Sequence, residues 1–473
     1  MLMLNPCWRM RNEKRRILLY KLDTPDGVTV EQFSSIHPLH AILLSLFDGN
    51  TNKAQITKDF SYVTNLSAKD GTAKVKALLE EINKIDKGIL IPFSPQEKIT
   101  SRYNPEDFVI SIDKIQVDSN PRLENPLQLG FDLTNKCEKK CIYCYAETGF
   151  SQSGELLHLE QVKEILDEAK RMGIVGIPFG GGDPFARDDI VQILEHSNKI
   201  NLNYMISTKQ YLSQELCAQL KDCGVTKIQI SIDSMNPAIA DRMTGSINFL
   251  SNTLRTIHNL QAVNISVTCK AVITSINIEG ALDLCQGLTQ RGVKTIKLTG
   301  YGRSIYRHSE SLFASKVQLD QLSEEVSLFK KNNPGVDVSL GGIDTESSSN
   351  LKSFKDRRVQ YQNRNVCVAG RQSMHILPDG KVTLCEQLPS TPEFIVGDLK
   401  KQSLSEIWRS ESLNYWINPS DNLFKGTICD NCPDLVDCNT GSGRCFRNSY
   451  SVYGSPWAPV PNCPYTDDFV RMS

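Results

Sequence analysis

Cysteine is the residue type in this sequence with the most evident capacity for chemistry. The chain has 15 cysteines in 473 residues, and three of them form a tight C-x3-C-x2-C group, Cys137, Cys141 and Cys144. Seven more crowd the last quarter of the chain: Cys367, Cys385, Cys429, Cys432, Cys438, Cys445 and Cys463. Closely spaced thiolates let one loop surround a metal centre, and these soft ligands select zinc or iron–sulfur clusters. The pattern therefore indicates metal binding rather than a disulfide framework.

Charge and hydropathy argue against several kinds of partner. The chain balances 53 Lys and Arg against 54 Asp and Glu, so it has no global field for nucleic acid or an anionic membrane. No apolar run approaches the ~18 residues of a membrane span, and the apolar stretch at the start is too short for a signal peptide. We expect a cytoplasmic protein without a nucleic-acid or membrane partner.

The elements around the first cysteine group alternate between strands and amphipathic helices, which is typical of a parallel α/β sheet. Six strands are predicted: 128–133, 174–179, 203–207, 227–232, 265–273 and 295–298. Six such units indicate a partial (β/α)6 TIM-type barrel, and the cysteine group directly follows its first strand. Catalytic residues of parallel barrels lie at that end of the strands.

The chain divides into three predicted domains. Residues 1–100 have the pattern of a small winged-helix-like α+β domain, residues 101–345 contain the barrel, and residues 346–473 form a loop-rich, cysteine-rich domain in which metal is expected to take the place of a core. The segment 108–112 looks like one further strand.

Three cysteines on one loop can hold three irons of a cubane cluster and leave the fourth iron open; a zinc loop is the alternative, but its fourth ligand is missing nearby. The motif, with Tyr143 in its aromatic position, resembles that of the radical S-adenosylmethionine (SAM) superfamily. The resemblance implies that a [4Fe–4S] cluster at Cys137, Cys141 and Cys144 binds SAM and cleaves it to a 5′-deoxyadenosyl radical.

Later segments resemble further motifs of that superfamily, in the expected order. Gly-Gly-Gly-Asp-Pro at 180–184 is similar to its G-G-E-P motif, with Asp in place of Glu, and Ser-Thr-Lys at 207–209 to its S-T-N segment. Ser-Ile-Asp at 231–233 matches its S-x-D element, and the stretch at 270–273 lies where the family packs an apolar strand against adenine. The implied SAM-binding residues are Tyr143, Gly181, Gly182, Asp183, Ser207, Ser231, Asp233 and Arg242.

Three residues after the last predicted strand, Tyr301, Arg303 and His308, are candidates for contact with the substrate. They follow the strand at the end of the barrel where the cysteine group is expected. A structural role is the alternative for each, because an isolated His is more often structural than catalytic.

The C-terminal cysteines resemble the SPASM extension of radical SAM enzymes, which carries two auxiliary [4Fe–4S] clusters; a zinc ribbon is the alternative. The resemblance assigns an outer set, Cys429, Cys432, Cys438 and Cys463, and an inner set, Cys367, Cys385 and Cys445. Ser442 occupies the position usual for the sixth cysteine, and Cys445 is its expected substitute. Three clusters are therefore expected. The tail has no eighth cysteine, so an open iron in the inner cluster is expected to bind a peptide thiolate.

Residues 17–93 resemble the PqqD-like domain that binds leader peptides in radical SAM peptide maturases; a DNA-binding winged helix is the rival interpretation. A leader would add as a strand to the edge of its sheet. The whole pattern predicts an enzyme that modifies a ribosomally made precursor peptide and draws electrons from a donor such as a flavodoxin or ferredoxin. We expect a thioether crosslink between a Cys sulfur and a carbon. A carbon–carbon crosslink, sulfatase-maturase-like oxidation of a Cys or Ser side chain, and a zinc scaffold without enzymatic activity are the alternatives.

Overall fold

The computed structural model describes residues 1–25, 27–93, 103–115, 122–147, 155–342, 353–364, 367–441, 443–466, 470 and 472. The chain forms two compact units, Met1–Glu124 and Asn125–Ser473. The boundaries predicted at 100/101 and 345/346 lie outside the described residues, as does Ser442. No helix in the described part of the chain is both long and apolar enough to cross a bilayer.

The first unit combines short antiparallel sheets with three helices. Its strands are β1 (Leu2–Leu4), β2 (Trp8–Asn12), β3 (Ile17–Leu22), β4 (Val30–Ile36) and β5 (Leu90–Pro92). Its helices are α1 (Pro38–Ser45), α2 (Lys53–Val63) and α3 (Ala68–Ile85). The sheet order is β2-β3-β4, and β1 pairs with β5. The spacing of apolar residues over 68–85 predicts a helix, and helix α3 has those bounds. Ser67 caps it by accepting from the N–H of Asp70, and Val75, Leu78 and Ile82 face the core.

The segment predicted as a strand at 108–112 forms helical turns instead, at Pro105–Phe108 and Ile112–Lys114. Asn104 accepts a hydrogen bond from the N–H of Glu106, and Pro105 begins the first turn. Phe108 is buried in the apolar core of the first unit. Side-chain packing at a capped turn therefore overrides the apparent strand pattern.

The second unit is built on one ten-stranded sheet. Its strands are β6 (Gln128–Thr134), β7 (Gly176–Gly181), β8 (Asn203–Thr208), β9 (Lys227–Ser231), β10 (Ser266–Ile273), β11 (Thr295–Gly300), β12 (Asp337–Gly341), β13 (Ser373–Ile376), β14 (Lys381–Thr383) and β15 (Ile395–Asp398). Its helices are α4 (Leu159–Arg171), α5 (Ile190–Lys199), α6 (Gln214–Asp222), α7 (Pro237–Thr244), α8 (Phe249–Ala262), α9 (Ala281–Gln290), α10 (Lys316–Asn332), α11 (Phe354–Gln362), α12 (Leu404–Trp408), α13 (Glu411–Ile417) and α14 (Phe446–Tyr453).

The six predicted barrel strands are the parallel strands β6 to β11, and β12 extends them by one more parallel strand. At the other edge β13 pairs parallel with β6, and β14 and β15 follow in antiparallel order. The C-terminal region thus continues the sheet of the barrel.

Alternate residues of the parallel strands pack against the helices in a large apolar core, among them Leu129, Phe131, Ile206 and Cys269. The opposite side of the same strands, here called the inner face, carries polar and small residues: Asp132, Gly180, Ser207, Ser231, Lys270, Lys297 and His375. Each strand therefore alternates between apolar residues that face the helices and polar or small residues that line the interior of the barrel.

The expectation that metal replaces a core in the C-terminal region is wrong. Trp408, Trp416 and Phe446 from that region are buried in the same apolar cluster as the barrel strands. Trp416 stacks on Trp457 with ring centroids 5.0 Å apart. Aromatic packing of this kind stabilises the region independently of its cysteines.

Candidate functional site

The first three cysteines lie on a loop, residues 135–147, that begins where β6 ends. The end of α7 holds this cysteine loop, because the N–H of Lys140 donates to the carbonyl of Thr244 at 2.8 Å and that of Ile142 to Met243 at 3.1 Å. The segment after β11 holds two cysteine carbonyls: Arg307 donates to Cys141 at 3.2 Å and Ser304 to Cys144 at 3.4 Å. Two barrel segments distant in sequence thus position the loop.

The glycine turn after β7 lies directly against the cysteine loop. The N–H of Gly182 donates to the carbonyl of Thr134 at 2.7 Å, and that of Asp183 to Lys136 at 2.9 Å. A Cβ at Gly182 would stand 2.1 Å from the carbonyl oxygen of Lys136, and Gly181 has a positive φ of 105°. The glycines are therefore required for close backbone packing, and their predicted contact with SAM stays a prediction.

Asp183 ties the glycine turn to the next strand. Its buried carboxylate accepts from the hydroxyl of Thr208 at 2.8 Å, the N–H of Lys209 at 2.9 Å and the N–H of Phe185 at 3.0 Å. Burial raises the pKa of Asp183, while these hydrogen bonds oppose the shift. The carboxylate thus joins the ends of β7 and β8 beside the cysteine loop.

A second polar group connects the cysteine loop to β8 and β9. The hydroxyl of Tyr143 donates to the carboxylate of Asp233, and the ammonium of Lys209 lies 3.2 Å from the same oxygen. The other oxygen of Asp233 accepts the N–H of Val272 at 2.9 Å. Burial raises the pKa of Tyr143 well above its usual value, and the charge of Asp233 adds to the shift. Lys209, which the sequence motif treated as a departure, therefore belongs to the site.

The other predicted SAM-binding residues are not all brought together. Ser207 and Ser231 are partly buried on the inner face, on the same strands as the residues just described. Arg242 lies on α7 and is exposed to solvent. Its neighbour Asp241 accepts the N–H groups of Asn248 and Phe249, at 3.0 and 2.9 Å. A role for Arg242 in holding the SAM carboxylate stays a prediction.

The three candidates for substrate contact lie beside the cysteine loop. Tyr301 is buried in an apolar cluster with Cys141 and Tyr143, and its hydroxyl lies 2.7 Å from Nδ1 of His308. Arg303 forms an ion pair with Glu310, whose carboxylate also lies 3.1 Å from Nε2 of His308. The structure thus gives these residues contacts that support the cysteine loop, and their contact with substrate stays a prediction.

The three thiols of the loop are close enough to act on one another. Burial raises the pKa of Cys141 to about 11; Lys209 opposes this shift, whereas Cys144 and Cys137 add to it. Burial likewise raises the pKa of Cys137, and Asp183 and Cys144 add to the increase. Thiolates in such surroundings need positive charge to stay deprotonated, which iron ligation provides. The donor set therefore fits an iron–sulfur cluster.

The pKa shifts of the C-terminal thiols depend on thiols of the same predicted set. Burial raises the pKa of Cys367 to about 11 and that of Cys385 to about 12, and Cys445 adds to both shifts. Burial raises the pKa of Cys463 to about 11, with contributions from the other three members of the outer set. Among the described residues no group of three or more His, Cys, Asp or Glu side chains is arranged around a single metal ion. Each set thus gathers its own thiols, and the ligation of two clusters stays a prediction.

Guanidinium groups that the sequence did not indicate contact the outer set. Arg444, 3% exposed, donates to the sulfur of Cys429 at 3.3 Å, and Arg364 donates to the sulfur of Cys438 at 3.6 Å. The hydroxyl of Tyr361 lies 3.4 Å from the Cys438 sulfur. These donors favour the thiolate form and suit an anionic cluster.

The remaining cysteines of the second unit lie apart from these sets. Cys217, Cys269 and Cys285 are fully buried in the apolar core between sheet and helices, and Cys223 packs against that core. Burial raises the pKa of Cys269 to about 12. These cysteines belong to the packing of the barrel.

Comparison with known protein families agrees with this arrangement. Residues 131–286 match the Radical SAM superfamily, and residues 367–433 match the iron–sulfur cluster-binding domain called SPASM. The partial barrel with its central parallel sheet and the C-terminal SPASM domain confirm the predicted fold class. The chain is therefore an enzyme that contains a Radical SAM domain followed by a SPASM domain.

Two relatives are similar to most of the chain. The PqqA peptide cyclase of Rhodopseudomonas palustris is 24% identical over 345 residues, which cover 72% of this chain and 86% of that protein. The PqqA peptide cyclase of Methylocella silvestris is 25% identical over 363 residues, which cover 74% of this chain and 91% of that protein.

Solved structures share the fold at lower identity. Streptococcus suis SuiB bound to the precursor peptide SuiA has a TM-score of 0.63 and 17% identity, over 97% of this chain and 99% of that chain. Native anSMEcpe with bound AdoMet has a TM-score of 0.50 and 15% identity, over 70% of this chain and 93% of that chain. The similarity to SuiB extends over nearly all of both chains, whereas that to anSMEcpe covers less of this one.

Proposed function

We propose that this chain is a cytoplasmic maturase that binds a ribosomally made precursor peptide through its leader and installs a thioether between a Cys sulfur and a carbon of the core peptide. The main observation in support of a peptide substrate is the similarity to PqqA peptide cyclases over 72% of the chain. The polar inner face that opens beside the cysteine loop supports it, because a peptide needs hydrogen-bonding partners in a barrel interior.

Bound clusters and SAM would supply one-electron chemistry, in which a 5′-deoxyadenosyl radical would take a hydrogen atom from a peptide carbon and an auxiliary cluster would accept the surplus electron. Cys137, Cys141 and Cys144 would hold the first of three [4Fe–4S] clusters, and the outer and inner sets would hold the other two. An external flavodoxin or ferredoxin would donate the first electron.

The chain's own residues order the site around this chemistry. Asp183 and Asp233 join the ends of neighbouring strands beside the loop, and Tyr143 and Lys209 complete a buried hydrogen-bonded group. Such contacts hold the site in one geometry before substrate arrives, which lowers the cost of orienting the reactants.

The inner set supports a thioether over other crosslinks. It contains three cysteines, and the remaining described cysteines of the second unit lie in or against the apolar core. A fourth position on the inner cluster would then be free to bind the thiol of the peptide and remove its proton. A peptide cyclase that forms a carbon–carbon bond is the second candidate, favoured by the name of the relatives. Sulfatase-maturase-like oxidation of a Cys or Ser side chain is the third.

Mass spectrometry with thiol alkylation separates these candidates. Reduced enzyme is incubated with SAM and the short peptide encoded beside its gene, and the product is treated with iodoacetamide and, separately, with a hydrazide probe. A thioether predicts loss of two hydrogens together with loss of one alkylatable thiol. A carbon–carbon crosslink predicts the same mass loss with every thiol retained, and side-chain oxidation predicts a carbonyl that reacts with hydrazide. SAM consumption with an unchanged peptide would contradict the proposal.

The first unit is proposed to bind the leader at the edge of β4. Among the described strands β4 pairs only with β3, and of its seven residues three are exposed, three are partly buried and only Ile36 is buried. Its other edge is therefore available for an added strand.

A charge on this edge tests the leader site. Phe33→Asp should weaken binding of a labelled leader peptide by about tenfold or more, because it places an unpaired charge in the added interface. Lys58→Asp on the exposed side of α2 is the matched control. SAM cleavage without peptide should be unchanged in both variants, and equal leader affinity in both would contradict the proposed site.

A further inference from the structure

Three lysines lie on or next to the inner face, and they differ in their partners. Lys209 forms an ion pair with Asp233 at 3.2 Å. Lys270 and Lys297 are partly buried on β10 and β11, and neither ammonium forms an ion pair or hydrogen bond with any residue that the structure describes. Two partly buried ammonium groups that form no ion pair with the described residues favour an anionic ligand between them.

The two lysines are direct neighbours. Lys270 pairs in register with Lys297 on the adjacent parallel strand, so their Cα atoms are about 5 Å apart. Ser231 and Ser339 flank them in the same row of the sheet. Burial lowers the pKa of Lys270, and the charges of Lys297 and Lys209 lower it further, whereas only Glu386 opposes the shift. The row is thus a concentrated positive site with hydroxyl groups beside it.

A second observation points to a missing ligand on the same side of β10. Thr268 is 3% exposed, and its hydroxyl is buried without a hydrogen-bond partner among the described residues. Thr268 precedes Lys270 by two residues, so the two side chains lie on the same face. Buried hydroxyls rarely lack a hydrogen-bond partner. An acceptor bound near Lys270 would receive hydrogen bonds from the Lys270 ammonium and from the Thr268 hydroxyl on the same face of β10.

This row lies a short distance along the strand from the cysteine loop. Val272, two residues beyond Lys270 and about 7 Å along the strand, packs against the apolar cluster that contains Cys141 and Tyr143. A group bound at the lysines would therefore lie inside the barrel, about two residues along β10 from the cluster that supports the cysteine loop.

We infer that Lys270 and Lys297 bind a carboxylate of the core peptide, either an Asp or Glu side chain or the C-terminus. This inference rests on the proposed function, since it names the chemistry of the substrate that the site takes. A carboxylate can accept hydrogen bonds from two ammonium groups and a hydroxyl at once, and it carries the negative charge that a neutral amide lacks. The carboxylate of SAM has the same chemistry, so the experiment measures the affinity for SAM and the affinity for the peptide separately.

The experiment compares Lys270→Gln and Lys297→Gln with the parent enzyme. We expect the KM for the full precursor, and the Kd of a labelled core fragment without its leader, to rise by about tenfold to a hundredfold. In Lys297→Gln, which lies outside the stretch placed against adenine, SAM affinity and SAM cleavage without peptide should stay within about twofold, because this lysine is expected to bind peptide rather than cofactor. Lys294→Gln, an exposed position just before β11, is the matched control.

Charge restoration and altered peptides identify the carboxylate. Lys270→Arg should recover most of the lost affinity, and its iron content and circular dichroism should match the parent. Core fragments in which each Asp or Glu is changed in turn to Asn or Gln, or in which the C-terminus is amidated, are then titrated. One altered fragment should bind the parent enzyme as weakly as the unmodified fragment binds the Lys270→Gln variant. That altered fragment should bind the Lys270→Gln variant no more weakly still.

Three results would overturn the inference: unchanged fragment affinity in both Gln variants, equal affinity of the parent enzyme for every altered fragment, or weaker SAM binding with unchanged peptide affinity. The last result would assign the lysines to the SAM carboxylate. A parent enzyme that binds the fragment but does not modify the precursor would contradict the proposed function alone, because the fragment titration still tests the lysines.

Discussion

The first cysteine loop and the outer set offer their thiols very different surroundings. Cys429 and Cys438 accept hydrogen bonds from Arg444 and Arg364. In the cysteine loop, Cys144 donates to the carbonyl of Ala146 at 3.9 Å and Cys137 accepts from the backbone N–H of Lys139, and no guanidinium donates to a sulfur among the described residues. Lys209, the cation that lowers the pKa of Cys141, is already paired with Asp233.

This difference suits opposite electronic tasks. Donors to sulfur and nearby positive charge stabilise the reduced form of a cluster and raise its potential, which suits an electron acceptor at the outer set. A cluster on a loop whose nearby cation is neutralised by a carboxylate keeps a lower reduction potential. A low potential suits a site that transfers an electron to its bound ligand. The four predictions that follow test this comparison.

The largest expected effect separates the two regions directly. Cys141→Ala should remove about a third of the bound iron and abolish SAM cleavage, because an open cluster needs all three thiols of the loop. Cys429→Ala should also lower the iron content but leave SAM cleavage without peptide intact. Iron and sulfide counts with chromatographic measurement of 5′-deoxyadenosine check both. An equal loss of SAM cleavage in both variants would show that the first cysteine loop and the outer set do not differ in function.

Replacing the buried guanidinium tests the role of the outer set. Arg444→Met removes the donor to Cys429, and peptide modification should fall by about tenfold to a hundredfold, as is usual when a partner of a metal ligand is lost. A redox titration followed by electron paramagnetic resonance should show a lower potential for one auxiliary cluster only. The potential of the SAM-binding cluster should not move; a common shift in all clusters would contradict the comparison.

A methyl group at the glycine turn tests the backbone packing of the first loop. Gly182→Ala should slow SAM cleavage by about tenfold to a hundredfold, because its Cβ would meet the carbonyl of Lys136 and shift the loop, at a cost of about 1–3 kcal/mol. Gly335→Ala is the matched control, since no atom lies within 4 Å of its Cβ position. Auxiliary iron should be retained in both proteins, and equal SAM cleavage would disprove the packing argument.

The smallest expected effect concerns an ion pair next to the outer set. Arg358 pairs with Asp434, but its side chain is 43% exposed. Solvent screening therefore leaves this pair little net contribution to stability. Arg358→Gln should leave the thermal unfolding temperature and the cluster potentials nearly unchanged. A shift in cluster potential as large as that of Arg444→Met would show that exposure is a poor guide in this region.

Much of the architecture could be predicted because it depends on local pattern. The alternation of strand and helix patterns predicted β6 to β11, and the core-facing spacing of apolar residues predicted α3. The position of the cysteine loop followed from its place after β6. These features need only the sequence within a few residues of each element.

Pairings between distant segments could not be predicted. The parallel pairing of β13 with β6 joins residues from opposite ends of the second unit, and no local pattern encodes it. Lys209 looked like a departure from a motif, although Asp233 and Tyr143 give it a defined place. Lys270 was assigned to an apolar strand against adenine; strict alternation with Cys269 and Ala271 would have placed it on the inner face. Side-chain partners of this kind depend on tertiary packing.

The pairing of β13 with β6 also fixes the separation between the first cysteine loop and the inner set. Ile376 is in register with Phe131. From these adjacent strands the chain continues to Cys137 on one side and through the β13–β14 hairpin to Cys385 on the other. A sheet resists stretching and slips only by whole residues. In the proposed reaction, the distance that an electron would cross between these two groups of thiols would therefore be set by backbone register, and it should stay constant for peptides of different sequence.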